Sequence, residues 1–170
     1  MWKYNGAERP PFADEPGPGQ ESVWDYPRPP ILVTCSQEIE VLHQGVSLAR
    51  TVAALRVLET ASPPTYYLPA KDVDWTLLSR TQDSSFCEWK GVATYWALAE
   101  NPAAGPVGWS YESPSERFAQ IDGYVSFYPG RIACYVDGER VAAQPGGFYG
   151  GWVTSTIVGP IKGKPGTGHW

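Results

Sequence analysis

Apolar and polar positions alternate in short, interrupted runs along the chain. Residues 31–36 (ILVTCS) and 39–43 (IEVLH) are β-branched or alternating runs joined by Gln37 and Glu38, which predicts a hairpin or bent strand. Gly45 then turns the chain. Over 46–58 the pattern supports two readings, because Leu48, Val52, Leu55 and Leu58 recur at helical spacing while Val46 with Leu48, and Leu55 with Val57, alternate as in strands. The spacing predicts a short helix or turn at 50–54 and then a strand through Leu58. Pro63 and Pro64 end that element, 65–68 is β-prone, and 71–74 (KDVD) is turn material.

Residues 75–78, 86–89 and 92–98 read as further strands, followed by a loop at 101–106 and a strand at 107–111. A short helical turn follows, with Ser113 as N-cap, Pro114 at the first position and Glu116 at the capping-box position. Residues 125–128, the turn Pro129-Gly130 and 132–136 give the clearest hairpin signal, and Asp137-Gly138 is a turn dipeptide. The sum predicts an all-β fold of mainly antiparallel short strands with one or two short helical turns.

The flanks differ from this centre. Residues 1–20 are rich in Pro and Gly and have no apolar period, so they read as an extended arm able to lie on the domain through Trp2, Tyr4 and Phe12. Residues 21–30 stay extended, because each X-Pro step keeps the preceding residue out of the α region, yet Trp24, Tyr26 and Arg28 mark a docked segment. Residues 144–170 are Gly- and Pro-rich with one β-prone island at 152–158. The predicted organisation is an arm over 1–20, a single all-β domain over 21–143, and a C-terminal extension over 144–170 packed on that domain.

Composition narrows the function classes. A length of 170 residues suits one domain, and 13 basic against 18 acidic residues give a formal charge of -5. That balance argues against an electrostatic nucleic-acid binder and against an anionic-membrane binder, and leaves room for a local basic pocket. No apolar run reaches the length of about 18 residues that a span needs, and the first residues lack a signal-peptide pattern, so a cytoplasmic protein is expected. The cysteines Cys35, Cys87 and Cys134 are far apart with no Cys-x-x-Cys, which fits reduced thiols and predicts neither a metal nor a cofactor.

Candidate chemistry centres on 54–69 (ALRVLETASPPTYYLP), where Arg56 and Glu59 sit in an apolar run. An unpaired buried charge is costly, so these two are expected either to pair with each other or to face a polar cavity. The structural reading is an ion pair fixing strand ends; the functional one is a guanidinium fork presented to a carboxylate or phosphate and oriented by Glu59. Cys87, Trp89 and Lys90 repeat the theme, a cation against aromatic neighbours. Lys90 either snorkels over the sheet or points into the same cleft as Arg56, in which case an anionic small ligand explains both. Cys87 is either a small buried hydrophobe or, with Lys90 as its cationic neighbour, a nucleophile, although His43 and His169 are poorly placed to assist it. Asp72 and Asp74 form an Asp-x-Asp in a turn, and no phosphate loop accompanies it.

Several motifs occur in order: 21–30 (ESVWDYPRPP), 56–59 (RVLE), 63–69 (PPTYYLP), Asp72-Val73, Cys87-x-Trp-Lys-Gly-x-Ala-x-Tyr95, Trp109-x-Tyr111, Phe127-Tyr128 and 136–139 (VDGE). Together, over roughly 21–141, they resemble family 427 of the domains of unknown function, which is sometimes labelled nucleotidyltransferase-like. The resemblance implies a β-tent-like fold, two small antiparallel sheets meeting over a cleft. It does not carry over the zinc knuckle of many β-tent relatives, since the paired Cys-x-x-Cys motifs are missing.

These readings predict a cleft walled by aromatics that binds a small anionic or polar metabolite, with Arg56, Glu59, Tyr66, Tyr67, Cys87, Trp89, Lys90, Tyr95, Trp109 and Tyr111 as ligand-binding candidates. The alternatives are an enzyme, a transferase or hydrolase using Cys87 or Glu59 as catalytic group, and an interaction module whose cleft takes a peptide or the chain's own arm. The expected partner is an unidentified small molecule, and monomer and homodimer are both compatible with the sequence.

Overall fold

The computed structural model describes residues 2–170; Met1, the first residue of the predicted arm, lies outside the described residues. The fold is all-β, with short strands and 3-10 turns. After β1 (Glu21–Ser22) come β2 (Ile31–Cys35), β3 (Ile39–His43), β4 (Val46–Thr51), β5 (Ala54–Leu58) and β6 (Thr65–Tyr67). The centre of the chain contributes β7 (Leu78–Cys87), β8 (Gly91–Leu98), β9 (Pro106–Tyr111), β10 (Val125–Phe127), β11 (Ala133–Val136) and β12 (Glu139–Arg140). The last strands are β13 (Ala142–Ala143), β14 (Trp152–Val153) and β15 (Ile157–Val158).

Two four-stranded antiparallel sheets, in the orders β10-β9-β8-β7 and β12-β11-β3-β4, carry most of the structure, and β2-β5-β6 forms a third. The third sheet meets β10 where Leu68 and Val125 exchange backbone hydrogen bonds of 2.8 and 2.9 Å. Strand parity then sorts the side chains. Along β5, Leu55 and Val57 point to a cluster with Tyr67, Trp109, Tyr111 and Phe118, while Arg56 between them points the other way. Tyr66 joins the larger core of Ile39, Val41, Leu48, Leu68, Val125, Phe127, Cys134 and Trp152.

Several connections differ from those the sequence predicts. Of the helix or turn expected at 50–54 the structure has the turn: β4 runs to Thr51, β5 runs from Ala54 through Leu58 as expected, and the corner between them is held by a hydrogen bond from the Ala53 N–H to Thr51 Oγ1 (3.0 Å). The helical spacing of the leucines arises because two strands of different facing are read across that corner. β2 pairs with β5 and β3 with β4 and β11, so 31–43 is not a hairpin. The 125–136 hairpin is also absent, because Pro129-Gly130 carries the chain from β10 in one sheet to β11 in another. Asp137 and Gly138, at φ values of 47° and 79°, make the tight turn between β11 and β12 instead.

Trp75–Leu77 is a 3-10 turn, since Asp74 Oδ1 accepts from the Thr76 N–H and caps it, and the strand begins at Leu78. Ser113 is not a helix cap: it has a φ of 59°, and the following 3-10 segment, Glu116–Ile121, starts after Ser115. The Ser115 hydroxyl is drawn elsewhere, donating to the Trp89 carbonyl at 2.6 Å.

Both flanks are tied into this body. β1 runs parallel to β15, and Tyr4 and Phe12 pack edge-on against Trp24 at 5.2 Å each, with Trp170 stacked on Phe12 at 5.3 Å. Trp152 has no solvent exposure, stacks on Tyr66 at 4.8 Å, and donates its indole N–H to the Phe127 carbonyl at 2.9 Å. Among the described residues no helix is long and apolar enough to cross a membrane.

Candidate functional site

Where β5 and β6 face β8 and β9, the side chains leave a cavity of about 600 Å³. Val57, Glu59, Thr65 and Tyr67 line one side, and Tyr95, Trp109, Tyr111 and Tyr128 line the other. The end of β7 and the turn after it add Cys87, Trp89 and Lys90, and the C-terminal extension closes the far wall with Gln144, Tyr149, Gly150, Gly151 and Lys162. Gly150 is needed there, because a Cβ would collide with the Trp109 ring. A Cβ on Gly151 would likewise run into Pro63 and Gln144. Trp2 is the one residue of the arm (2–20) on the cavity lining.

Lys90 sets the electrostatics. It retains 9% exposure, its ammonium lies 5.5 Å from the centre of the Phe118 ring and 5.9 Å from that of Tyr111, and it faces the cavity. Among the described residues no carboxylate is within ion-pair distance of it. Burial works to strip its proton; Tyr67, Cys87 and Glu59 work to keep it, and the balance holds the lysine above its ordinary value. Lys90 is therefore a protonated donor at neutral pH, not a free amine.

Tyr67 is 1% exposed and accepts a hydrogen bond from the Trp109 indole N–H at 3.1 Å. Burial raises its pKa, as it does that of Tyr111, so both phenols stay neutral and keep a proton to donate. Tyr95 shares a 2.7 Å hydrogen bond with Ser85, and Tyr128 packs on Trp109 at 4.5 Å. Lys162 sits between the Trp2 and Tyr149 rings and is 3.4 Å from the Trp170 carbonyl oxygen; burial and Arg28 lower its pKa.

The structure thus brings Glu59, Tyr67, Cys87, Trp89, Lys90, Tyr95, Trp109 and Tyr111 around one cavity. It does not bring Arg56 and Tyr66 there. In a strand, residues three apart lie on opposite faces, so Arg56 and Glu59 cannot pair. Arg56 instead makes a two-pronged contact with Glu21 (2.7 and 3.1 Å), and Glu59 takes the buried Arg28 (3.2 Å), which also donates to the Thr60 carbonyl at 2.9 Å. Burial raises the Tyr66 pKa to about 12, against the opposing pull of Arg56 beside it.

The residues with nucleotidyl-transfer or metal potential are consumed elsewhere. Asp72 accepts from the Thr51 hydroxyl at 2.7 Å and Asp74 caps a turn. Among the described residues no group of three or more His, Cys, Asp or Glu could hold a metal ion. Cys35 and Cys134 are buried, and burial pushes both thiols up, whereas Cys87 is partly exposed on the cavity.

Residues 31–139 match a family model described as Domain of unknown function (DUF427) and labelled NTP_transf_9. The chain belongs to the DUF427 family. No curated protein matches it. The matched span of this DUF427 chain supplies β2 to β11 and the cavity walls from Val57 to Tyr128, while Trp2, Gln144, Tyr149 and Lys162 come from outside it. Of these four the sequence pattern singles out Trp2 alone, as an arm residue able to lie on the domain. The β-prone island beside a glycine pair was the available signal that the extension packs inward.

Proposed function

We propose that this DUF427 protein binds a small anionic metabolite in the cavity between β5, β6, β8 and β9. One observation carries the reading: the Lys90 ammonium is nearly buried, faces a cavity of about 600 Å³ and has no carboxylate partner. An ammonium held out of water with no ion-pair partner, and with Glu59 only beyond ion-pair distance, is a standing cost that an anionic ligand relieves. The volume is in the range of small-molecule sites, and the mix of apolar rings with a few polar tips is the usual lining of such sites.

A thermal-shift screen of anionic and neutral metabolites at neutral pH tests this. Anionic compounds raise the melting temperature of the wild-type protein, Lys90→Met loses that response, and Arg56→Ala, altered outside the cavity, keeps it. If no anion shifts the wild type, or Lys90→Met responds equally, the reading fails.

A second reading, thiol chemistry on a bound substrate, is favoured by the position of Cys87, which shares the cavity with Lys90 and is the one cysteine of the three that is not buried.

A further inference from the structure

The donor arrangement at the inner end of the cavity narrows the ligand class, and this step rests on the anion-binding reading above. Lys90 can only donate. Tyr67 already accepts from Trp109, so its own O–H is left to donate elsewhere, and Tyr111 adds a second neutral phenol next to Lys90. The inner end therefore asks for acceptor atoms carrying negative charge.

The other charged groups set how much charge is tolerated. Arg28 is used by Glu59 and by the carbonyls of Thr60 and Tyr4. Lys162 leans on the Trp170 carbonyl and two aromatic faces. Glu59 and Glu88 stand on the cavity lining and repel additional negative charge. A single ammonium with no ion-pair partner, in a cavity whose lining also carries Glu59 and Glu88, compensates one charge, not two.

The walls set the body of the ligand. Trp109 and Tyr128 lie with ring centres 4.5 Å apart at 45°, and Tyr67 stands perpendicular to Trp109 at 6.2 Å. Such a wall offers both ring faces and ring edges, the geometry in which a flat π-system gains beyond its buried area. We infer that the ligand is an aryl monocarboxylate, its carboxylate oxygens accepting from Lys90 and Tyr67 and its planar body lying against Trp109 and Tyr128.

The test is calorimetric titration of the full chain with benzoate, cinnamate and indole-3-acetate. Each is paired with its uncharged amide, and phenyl phosphate and cyclohexanecarboxylate serve as further probes. At least one aryl carboxylate binds about tenfold or more tighter than its amide, since a hydrogen bond to a charged partner is lost in the amide. Tyr67→Phe weakens the carboxylate several-fold, and Lys90→Met binds carboxylate and amide alike. Equal binding of carboxylates and amides by the wild type overturns the inference, as does tighter binding of phenyl phosphate or of cyclohexanecarboxylate. Those last two outcomes leave the anion-binding reading standing, whereas silence from every anion removes both. Should Lys90→Met fail to fold, the carboxylate and amide pairs on wild type and Tyr67→Phe decide the matter.

Discussion

Replacing Lys90 by methionine separates a structural from a ligand-directed role for its charge. The substitution keeps an unbranched stem of similar length and removes the ammonium. On one side stands the cost of holding that ammonium at 9% exposure, several kcal/mol per ion once relaxation is allowed. On the other stand the Phe118 and Tyr111 faces at 5.5 and 5.9 Å, each worth about 0.5–1 kcal/mol and up to about 2 kcal/mol when dry. The Tyr67 phenol holds the Lys90 proton strongly only when it ionises, and at neutral pH it is uncharged, so it adds little there. Glu59 adds to the second side, burial is the largest single influence, and an excess of about 1 kcal/mol of burial cost over these attractions raises the melting temperature of Lys90→Met by roughly 2–4 °C in a chain of this size. Scanning calorimetry of the ligand-free proteins at pH near 7 measures it. A variant that melts higher and no longer binds anions identifies a charge kept for function at the expense of stability. A melting temperature lowered by a comparable amount shows that Lys90 holds the fold through its aromatic contacts, and the argument for an unsatisfied charge is then refuted.

Other consequences are equally direct. In the native protein, iodoacetamide modifies Cys87 well before Cys35 and Cys134, read by peptide mass after timed quenching; equal rates of all three contradict the placement of Cys87 on the cavity. Trp152→Ala costs about 3–5 kcal/mol, seen as a large fall in melting temperature, because it empties the space stacked against Tyr66 and drops the bond to Phe127. A near-neutral result would show that the extension is not part of the core. Glu21 is pulled up by burial but pulled down further by Arg56 and Tyr26, so its folded pKa lies below its unfolded value. Its contribution is complete above the unfolded carboxylate value of about 4.3 and fades as pH falls through the folded value. Because Glu21 is half-exposed, the contribution is about 1 kcal/mol or less. The gap in melting temperature between wild type and Glu21→Gln closes on acidification, and a gap independent of pH would rule out an ionic pair.

The central strands were legible because their residues are β-branched or aromatic and half-buried. Residues 31–36, 65–68, 92–98 and 107–111 fall on β2, β6, β8 and β9. β7 shows the limit: it runs from Leu78 to Cys87 as an edge strand, its middle is polar and exposed, and so it carries no hydrophobic period to read. Pairing was less legible than strand existence. The Pro129-Gly130 turn has the composition of a hairpin turn, yet Phe127 on one side is committed to β9 and Cys134 on the other to β3. Local turn chemistry cannot report which sheet each flank has joined.

The candidate site divides along the same line. Arg56 and Glu59 drew attention as charges in an apolar run, and parity sends them to opposite faces, where each finds a different partner: Glu21 for Arg56, Arg28 for Glu59. Tyr66 and Tyr67, adjacent in sequence, part company for the same reason. Once parity along β5 and β6 is respected, Val57, Glu59, Thr65 and Tyr67 form a single face, and of the opposing aromatics Trp109 and Tyr111 are two apart on β9 while Tyr95 on β8 is the cross-strand partner of Trp109. Lys90 escapes this rule because it lies in the turn between β7 and β8, where its backbone carbonyl is fixed by Ser115. A charge in a strand is committed by the register to whatever faces it, and Arg56 is satisfied in that way. The Lys90 charge is buried with no carboxylate at ion-pair distance among the described residues, so the register that satisfies Arg56 does nothing for it.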